Sequence, residues 1–352
     1  LVQGPVTIST EDGDQPEGAM VNWPVTADNR LTTERNARTE IRIGSTAVRL
    51  DGGSSLEVLE LDDERLELLL HRGSASIRIR NPEVLNGFSI ETPQRRVRMR
   101  EAGSMRIDAD RDNSTVDVFD GVALVEADGS SFSVRAGRRV EMRNGDLLTA
   151  QAVRTSFDDW ARLRDHQDDR VTSDRYVTSE MTGYEELDRY GSWSDSSEYG
   201  PLWQPRHVPA GWAPYRDGRW TWVAPWGWTW IDNAPWGYAP SHYGRWVMVN
   251  QRWGWAPGRH IGRPVWAPAL VGWVGGSGWS LSFNSHSAPA QGWYPLGFSD
   301  QYVPGYRLKH DHLRHINRHA RQRDDRMRDD HRRRGLTVVP HEHFSRRAPI
   351  VV

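Results

Sequence analysis

Cysteine is absent from all 352 residues, so the chain has no disulfide framework, no thiolate nucleophile, no Cys-bound zinc and no covalently attached c-type haem. It also lacks any run of about 18 apolar residues, the length that a bilayer-spanning helix needs. A net charge of −2 provides no global field to draw in a polyanion. Catalytic signatures are missing as well. There is no G-x-S-x-G, no H-E-x-x-H, no Walker loop, and no dinucleotide fingerprint behind a strand. We therefore expect no enzyme, no cofactor, no metal centre and no nucleic-acid partner, and we assign no catalytic residue. The chain opens on Leu1-Val2-Gln3 without Met, which fits a removed N-terminal segment such as a signal peptide and equally a trimmed chain.

Tryptophan is present in excess. Sixteen of the eighteen lie between Trp193 and Trp293, where Leu and Ile are scarce and Gly is frequent. The segment repeats itself: Gly211, Ala213, Pro214, Gly218, Arg219 and Trp220 recur twenty-six positions later as Gly237, Ala239, Pro240, Gly244, Arg245 and Trp246. Trp226-Gly227-Trp228 recurs as Trp253-Gly254-Trp255, one residue late. Such self-similarity marks two copies of one supersecondary unit. Trp220 and Trp222, then Trp226, Trp228 and Trp230, fall at every second position, which is the period of a strand. Each copy, 211–232 and 237–258, therefore reads as a β-hairpin. On this alignment the second copy has the extra residue, and its place is the turn within Val249 to Arg252.

At roughly 200 Å² apiece these rings amount to about 3,000 Å² of aromatic side chain, against the 300 to 600 Å² patch that a soluble monomer exposes. Most must be core, Trp228 among them, with two to four rings left over as a stacking platform. Candidates for a ligand or interface role are Trp226, Trp228, Trp230, Trp236, Tyr243, Trp253 and Trp255. So much aromatic area in about 110 residues also predicts a contact with another surface, hence a homo-oligomer or filament.

From Val2 to about Ala150 the pattern is one of short alternating strands. Val48/Leu50, Leu66/Leu68/Leu70, Ile77/Ile79, Met105/Ile107, Val116/Val118 and Phe132/Val134 each place apolar groups on one face. Asp128-Gly129 and Asn144-Gly145 are the strongest hairpin turns. The segments Ala47–Val58 (AVRLDGGSSLEV), His71–Ala75 (HRGSA), Phe88–Pro93 (FSIETP), Val116–Gly121 (VDVFDG) and Val134–Gly137 (VRAG) resemble the FecR-type periplasmic domain over roughly residues 1 to 145. That resemblance implies an exported all-β ligand or partner module, a sandwich or short solenoid, without catalysis. The chain departs from the sigma-factor regulators of that family in having no membrane helix and no cytoplasmic anti-sigma segment.

Ser156 followed by Asp159 reads as a capping box, and Phe157, Trp160 and Leu163 as the apolar stripe of one helix to about Asp169. From Tyr190 to Gly297 the chain resembles a Trp-rich domain of unknown function that follows a FecR domain in many proteobacterial envelope proteins. Gly211–Tyr215 (GWAPY), Trp226–Trp230 (WGWTW) and His242–Trp246 (HYGRW) carry that resemblance. After Pro304 the composition turns Arg-, Asp- and His-rich. His312, His315 and His319 could share one helix face around a metal, though a solvated tail is the commoner meaning. Arg333, Arg334, Arg346 and Arg347 are available to phosphates, lipid headgroups or an acidic partner. Asp232 reads as a turn former and His242 as structural.

The expected protein is mainly β, with a FecR-like domain (1–152), a helical linker and connector (153–192), a Trp-rich β-hairpin repeat domain (193–304) and a polar Arg/His-rich tail (305–352). It is expected to be a non-enzymatic, exported structural or interaction protein of the bacterial periplasm or cell surface. Its partners would be envelope proteins or copies of itself. The alternative is a carbohydrate-binding module that takes polysaccharide on exposed Trp and Tyr rings.

Overall fold

Alternating apolar residues make the first half of the chain a set of strands whose inward faces share one core. The computed structural model describes residues 1–9, 16–127, 130–143, 145–258, 262–274, 292–320, 325–339 and 350–351. The chain is mainly β and divides into two units, Leu1–Arg170 and Val171–Val352.

In the first unit, strands Leu66–Ile79, Arg96–Ala109 and Asn113–Ala127 are 14, 14 and 15 residues long, and each changes partner partway. Residues 66–72 pair with the strand Ser55–Leu61, whereas 73–79 pair with 103–109. Likewise 113–117 pair with Arg138–Arg143 and 122–127 with Ser130–Arg135. The changeovers fall at Gly73, Gly103 and Gly121. A Cβ on Gly121, whose φ is +75°, would stand 2.5 Å from the Ala102 carbonyl oxygen, so only glycine lets the strands cross there. Among the described residues one pairing is parallel, 66–69 with 88–91, and the rest are antiparallel. This is the folded-over sheet of a sandwich, not the parallel stack of a solenoid. Leu50, Leu56, Leu70, Ile77, Ile90 and Val116 fill its core. Phe132, expected inward, is 38% exposed, whereas Val134 of the same strand is buried. The expected turns at Asp128-Gly129 and Asn144 lie outside the described residues.

A helix at Ser156–Asp168 belongs to this unit and is held to the sheet mainly by charge. Its cap is Thr155, whose N–H donates to Asp158 at 2.6 Å, one residue earlier than the expected Ser156 and Asp159. Phe157 and Ala161 are buried and Trp160 stacks on Phe157, with Arg38 over both rings. Leu163, expected on that stripe, is 64% exposed. The inward positions it would have shared hold carboxylates and an arginine instead. Arg106 of the sheet reaches Asp158, and its other nitrogens reach Asp117 and Asp108. At the far end Arg42 grips Asp168 (2.7 Å), Arg49 grips Asp165 (2.8 Å) and Arg78 grips Asp169 (2.6 Å). Arg164 returns from the helix to Glu40 (2.8 Å), which also receives Arg42 (2.9 Å) and Arg49 (2.6 Å).

Among its described residues the second unit has three small sheets around an aromatic core. The first repeat is a hairpin of Asp217–Val223 and Gly227–Asp232 and the second a hairpin of Arg245–Val249 and Arg252–Ala256. Trp220 faces Trp230 and Trp222 faces Trp228 in one, while Trp246 faces Trp255 and Met248 faces Trp253 in the other. Trp253-Gly254-Trp255 is thus the counterpart of Trp228-Thr229-Trp230, not of Trp226-Gly227-Trp228. The extra residue accordingly lies in the first copy, whose tip is 224–226. The second copy turns on Asn250 and Gln251, both at positive φ (49° and 60°), the requirement of a tight two-residue turn.

The remaining cover comes from segments expected to lie outside the domain. Val177, Met181, Tyr184 and Leu187 of the connector pack among the tryptophans. Thr337–Val338 pairs with Gly292–Pro295, and Ile350–Val351 pairs with Asp217–Val223. His331 places Nε2 2.8 Å from the Pro295 carbonyl oxygen and sets its ring edge-on to Trp253. The described parts of 305–352 are therefore built into the unit and are not a solvated tail. With this extra cover Trp203, Trp220, Trp230, Trp255 and Trp293 lie within 1% of full burial, so these rings need no second chain to cover them.

Burial raises the Glu40 pKa, but Arg42, Arg164 and Arg49 outweigh it and hold the carboxyl well below the usual range. A carboxylate whose folded pKa is depressed contributes its stability above the unfolded value of about 4.3 and loses it as pH falls through the folded one. The first unit should therefore lose stability progressively below about pH 4. Glu40→Gln should cost about 3 to 5 kcal/mol at pH 7 and flatten that acid limb, as read from urea unfolding between pH 2 and 7. In the second unit, Trp228→Ala and Trp255→Ala should each cost about 3 to 5 kcal/mol. Trp255→Phe, which strands the carbonyl that its indole serves, should cost about 1 to 3 kcal/mol. Urea midpoints followed by tryptophan fluorescence check both.

Candidate functional site

The rings singled out by the sequence do not form a surface. Trp228, Trp230, Trp236, Tyr243, Trp253 and Trp255 are all 7% exposed or less. Trp226, at the tip of the first hairpin, is half-buried against Trp266 at 4.2 Å between centroids. Neighbouring rings meet mostly edge-on or tilted, as Trp220 meets Trp230 at 66° and Trp203 meets Trp236 at 58°. That is the geometry of a packed interior, not of coplanar faces offered to a sugar. Their indole N–H groups are engaged inside the unit. Trp203 donates to the Leu187 carbonyl (3.0 Å), Trp246 to Pro240 (3.0 Å), Trp255 to Tyr243 (2.8 Å) and Trp293 to Tyr215 (2.9 Å).

Asp232 and His242 are among the perturbed titratable groups of this core, and both serve structure. Burial pushes Asp232 up to about 6, yet its oxygens accept from the Trp230 indole (2.9 Å) and the Ala234 N–H (2.9 Å), closing the strand. Burial pushes His242 down to about 4. Its Nδ1 lies 2.7 Å from the Ala267 carbonyl oxygen, so the neutral ring donates there, and the ring stacks on Trp266.

A narrow cleft of about 60 Å³ brings unlike side chains together. It is lined by Tyr243, Gly244 and Arg245 at the start of the second hairpin, by Pro257 and Pro264, and by Phe298, His315, Arg318 and His319. The short helix His310–Ile316 positions His315, and the turn after it positions Arg318 and His319. Arg318 Nε donates to His319 Nε2 at 3.0 Å, and the His319 ring stacks on Phe298 at 4.7 Å. Burial, then Arg318 and His312, push His315 below its ordinary value.

Of the three histidines considered for a metal, His315 and His319 line this cleft. The Arg318 donation occupies the His319 Nε2 lone pair, and among the described residues no group of three His, Asp or Glu could hold an ion. Arg333 and Arg334 lie on the helix Asp325–Gly335, where Arg334 pairs with Asp330 at 2.9 Å. Arg346 and Arg347 lie outside the described residues. Sequence reasoning did not pick out Arg245, Phe298 or Arg318 as a group. Arg245 did stand in view as the arginine of the second G-R-W.

Comparison with known proteins places residues 184–300 in a match to a family model described as a family of unknown function, DUF6600. No curated protein matches the chain. Two crystal structures of a protein from Parabacteroides distasonis ATCC 8503, described as a "putative anti-sigma factor", are similar over 38% of this chain. Their identities are 17% and 18%, each with a TM-score of 0.33. The chain spans 64% and 63% of their lengths, less than two thirds. Among the described residues no helix is long and apolar enough to cross a membrane.

Proposed function

We propose that this chain is a non-enzymatic interaction scaffold of the bacterial envelope, working in the periplasm or at the cell surface, whose partners are envelope proteins or further copies of itself. The observation that carries the reading is the strand Asp146–Gln151. It ends the sheet order of the first unit and pairs only with Arg138–Arg143 among the described residues. Its outer edge offers a row of backbone donors and acceptors to an incoming strand. Leu148 is 58% exposed and Val153 is 52% exposed, and both supply apolar contact beside that edge. Natural edges are usually blunted by lysine, proline or a bulge, and this strand, Asp-Leu-Leu-Thr-Ala-Gln, contains neither lysine nor proline. The resemblance of residues 1–145 to the FecR-type periplasmic domain supports the export. The burial of the tryptophans favours a protein partner over a polysaccharide, since stacking on sugars needs accessible ring faces.

Site-specific photo-crosslinking from position 149 in living cells tests this. The expected product joins the chain to an envelope protein or to itself in the envelope fraction, and Leu148→Lys should abolish it while shifting stability by no more than about 0.5 kcal/mol. A chain that stays in the cytosol would overturn the reading. So would crosslinking that Leu148→Lys leaves intact, or hydrolysis of a cell-wall polysaccharide by the purified protein.

A further inference from the structure

The strand Asp146–Gln151 is open along almost its whole length: five of its six residues are exposed and Leu147 is half-buried. Its backbone has a fixed direction. The Ala152 N–H donates to the Gly137 carbonyl at 3.0 Å, and the ladder runs from there through Ala150–Arg139 and Leu148–Glu141 to Asp146–Arg143. Because bonded and non-bonded pairs alternate in an antiparallel ladder, the even-numbered residues turn their N–H and C=O groups toward Arg138–Arg143. Leu147, Thr149 and Gln151 therefore turn theirs outward, where no strand among the described residues meets them.

This edge matches itself. An antiparallel copy engages all three outward residues in one register: Thr149 faces Thr149, Leu147 faces Gln151, and Gln151 faces Leu147. A shift of two residues one way sets Gln151 against Gly145, which sits in a turn at φ +87°. The opposite shift sets Leu147 against Val153, whose N–H already donates to Asp117 (2.8 Å) and whose carbonyl already accepts from Arg106 (3.2 Å). In the full register Leu148, 58% exposed, stands opposite the small Ala150 in both directions, a large side chain against a small one. The one charge of the strand, Asp146, falls opposite Ala152, and the two aspartates lie about 20 Å apart.

We propose that two copies of this chain join antiparallel along Asp146–Gln151, about a two-fold axis at Thr149, and continue one sheet from one first unit into the other. The proposal rests on the scaffold reading above and names the partner at this edge as a second copy. A foreign strand could use the same backbone groups; the palindromic fit of Leu148 with Ala150, free of facing like charges, singles out the copy. An edge of six residues buries less than the roughly 1,200 Å² of a stable complex. The dimer is therefore reversible, with a dissociation constant weaker than about 1 μM.

The chain has no cysteine, so introduced thiols report the register directly. On mild oxidation of the whole purified protein, Thr149→Cys should give a disulfide-linked dimer, since bonded partners stand about 5.5 Å apart at Cα, within the span of a disulfide. Leu148→Cys mixed with Ala150→Cys should link to each other at least about tenfold faster than either links to itself, because like positions lie about 7 to 8 Å apart on the diagonal. Thr149→Pro removes an outward N–H and no bond of the existing ladder. It should weaken self-association at least about tenfold with the melting temperature little changed, as read by sedimentation velocity from about 1 to about 200 μM. A monomer throughout that range, thiols at 148 and 150 that link to themselves as readily as to each other, or an undiminished dimer in Thr149→Pro would overturn the proposal. An envelope protein crosslinked from position 149 in cells, with none of these dimers in vitro, would sink it and leave the scaffold reading standing.

Discussion

A buried indole carries one N–H that must find an acceptor, and much of the second unit follows from meeting that requirement many times in a small space. Leucine and isoleucine would fill a core without asking anything of the backbone. Here Trp203, Trp246, Trp255 and Trp293 each take a carbonyl from a non-strand residue: Leu187, Pro240, Tyr243 and Tyr215. Those segments are thereby fixed to the core, and through Leu187 the connector becomes part of the domain. Large rings also need clearance. A Cβ on Gly218 would stand 2.5 Å from the Trp230 ring, and one on Gly244 would stand 2.7 Å from the Trp255 indole nitrogen. The glycine of each G-R-W thus makes room for the equivalent tryptophan of its own hairpin.

The first unit meets the same demand with charge. Its helix has a modest apolar face, Phe157, Trp160 and Ala161, and is held to the sheet by arginines and carboxylates matched almost one for one. Matched buried pairs contribute little net stability over an apolar equivalent but penalise any arrangement that separates them. Such a network fixes the position of the helix more than it strengthens the fold. Arg245 of the second unit differs: among the described residues it makes no ion pair with a carboxylate, whereas Arg49 and Arg106 each do.

Local periodicity was legible and long-range register was not. Alternation at Val48/Leu50, Ile77/Ile79 and Val116/Val118 identified inward faces that are indeed buried, since a strand's two faces are written into its own residues. The helix was visible, but Thr155 and Asp158 satisfy the capping pattern as well as Ser156 and Asp159 do, and nothing local separates the two. Leu163 seemed to belong to the stripe because the sequence does not reveal that the sheet beneath presents Arg42, Arg49 and Arg78. For the hairpins, tryptophan at 226, 228 and 230 lets W-x-W be matched in two ways. Cross-strand pairing chooses between them, and it depends on whether the tip holds three residues or two.

The cleft was illegible for a related reason. Arg219 and Arg245 occupy the same place in the same tripeptide, each on the first strand of its hairpin. Arg219 is half-buried, whereas Arg245 is enclosed by a carbonyl from Ile316, 71 residues further on. Identical local sequence therefore gives one half-buried arginine and one buried one, and a contact from the later chain contributes to the difference. The stretch that does so contains His315, Arg318 and His319.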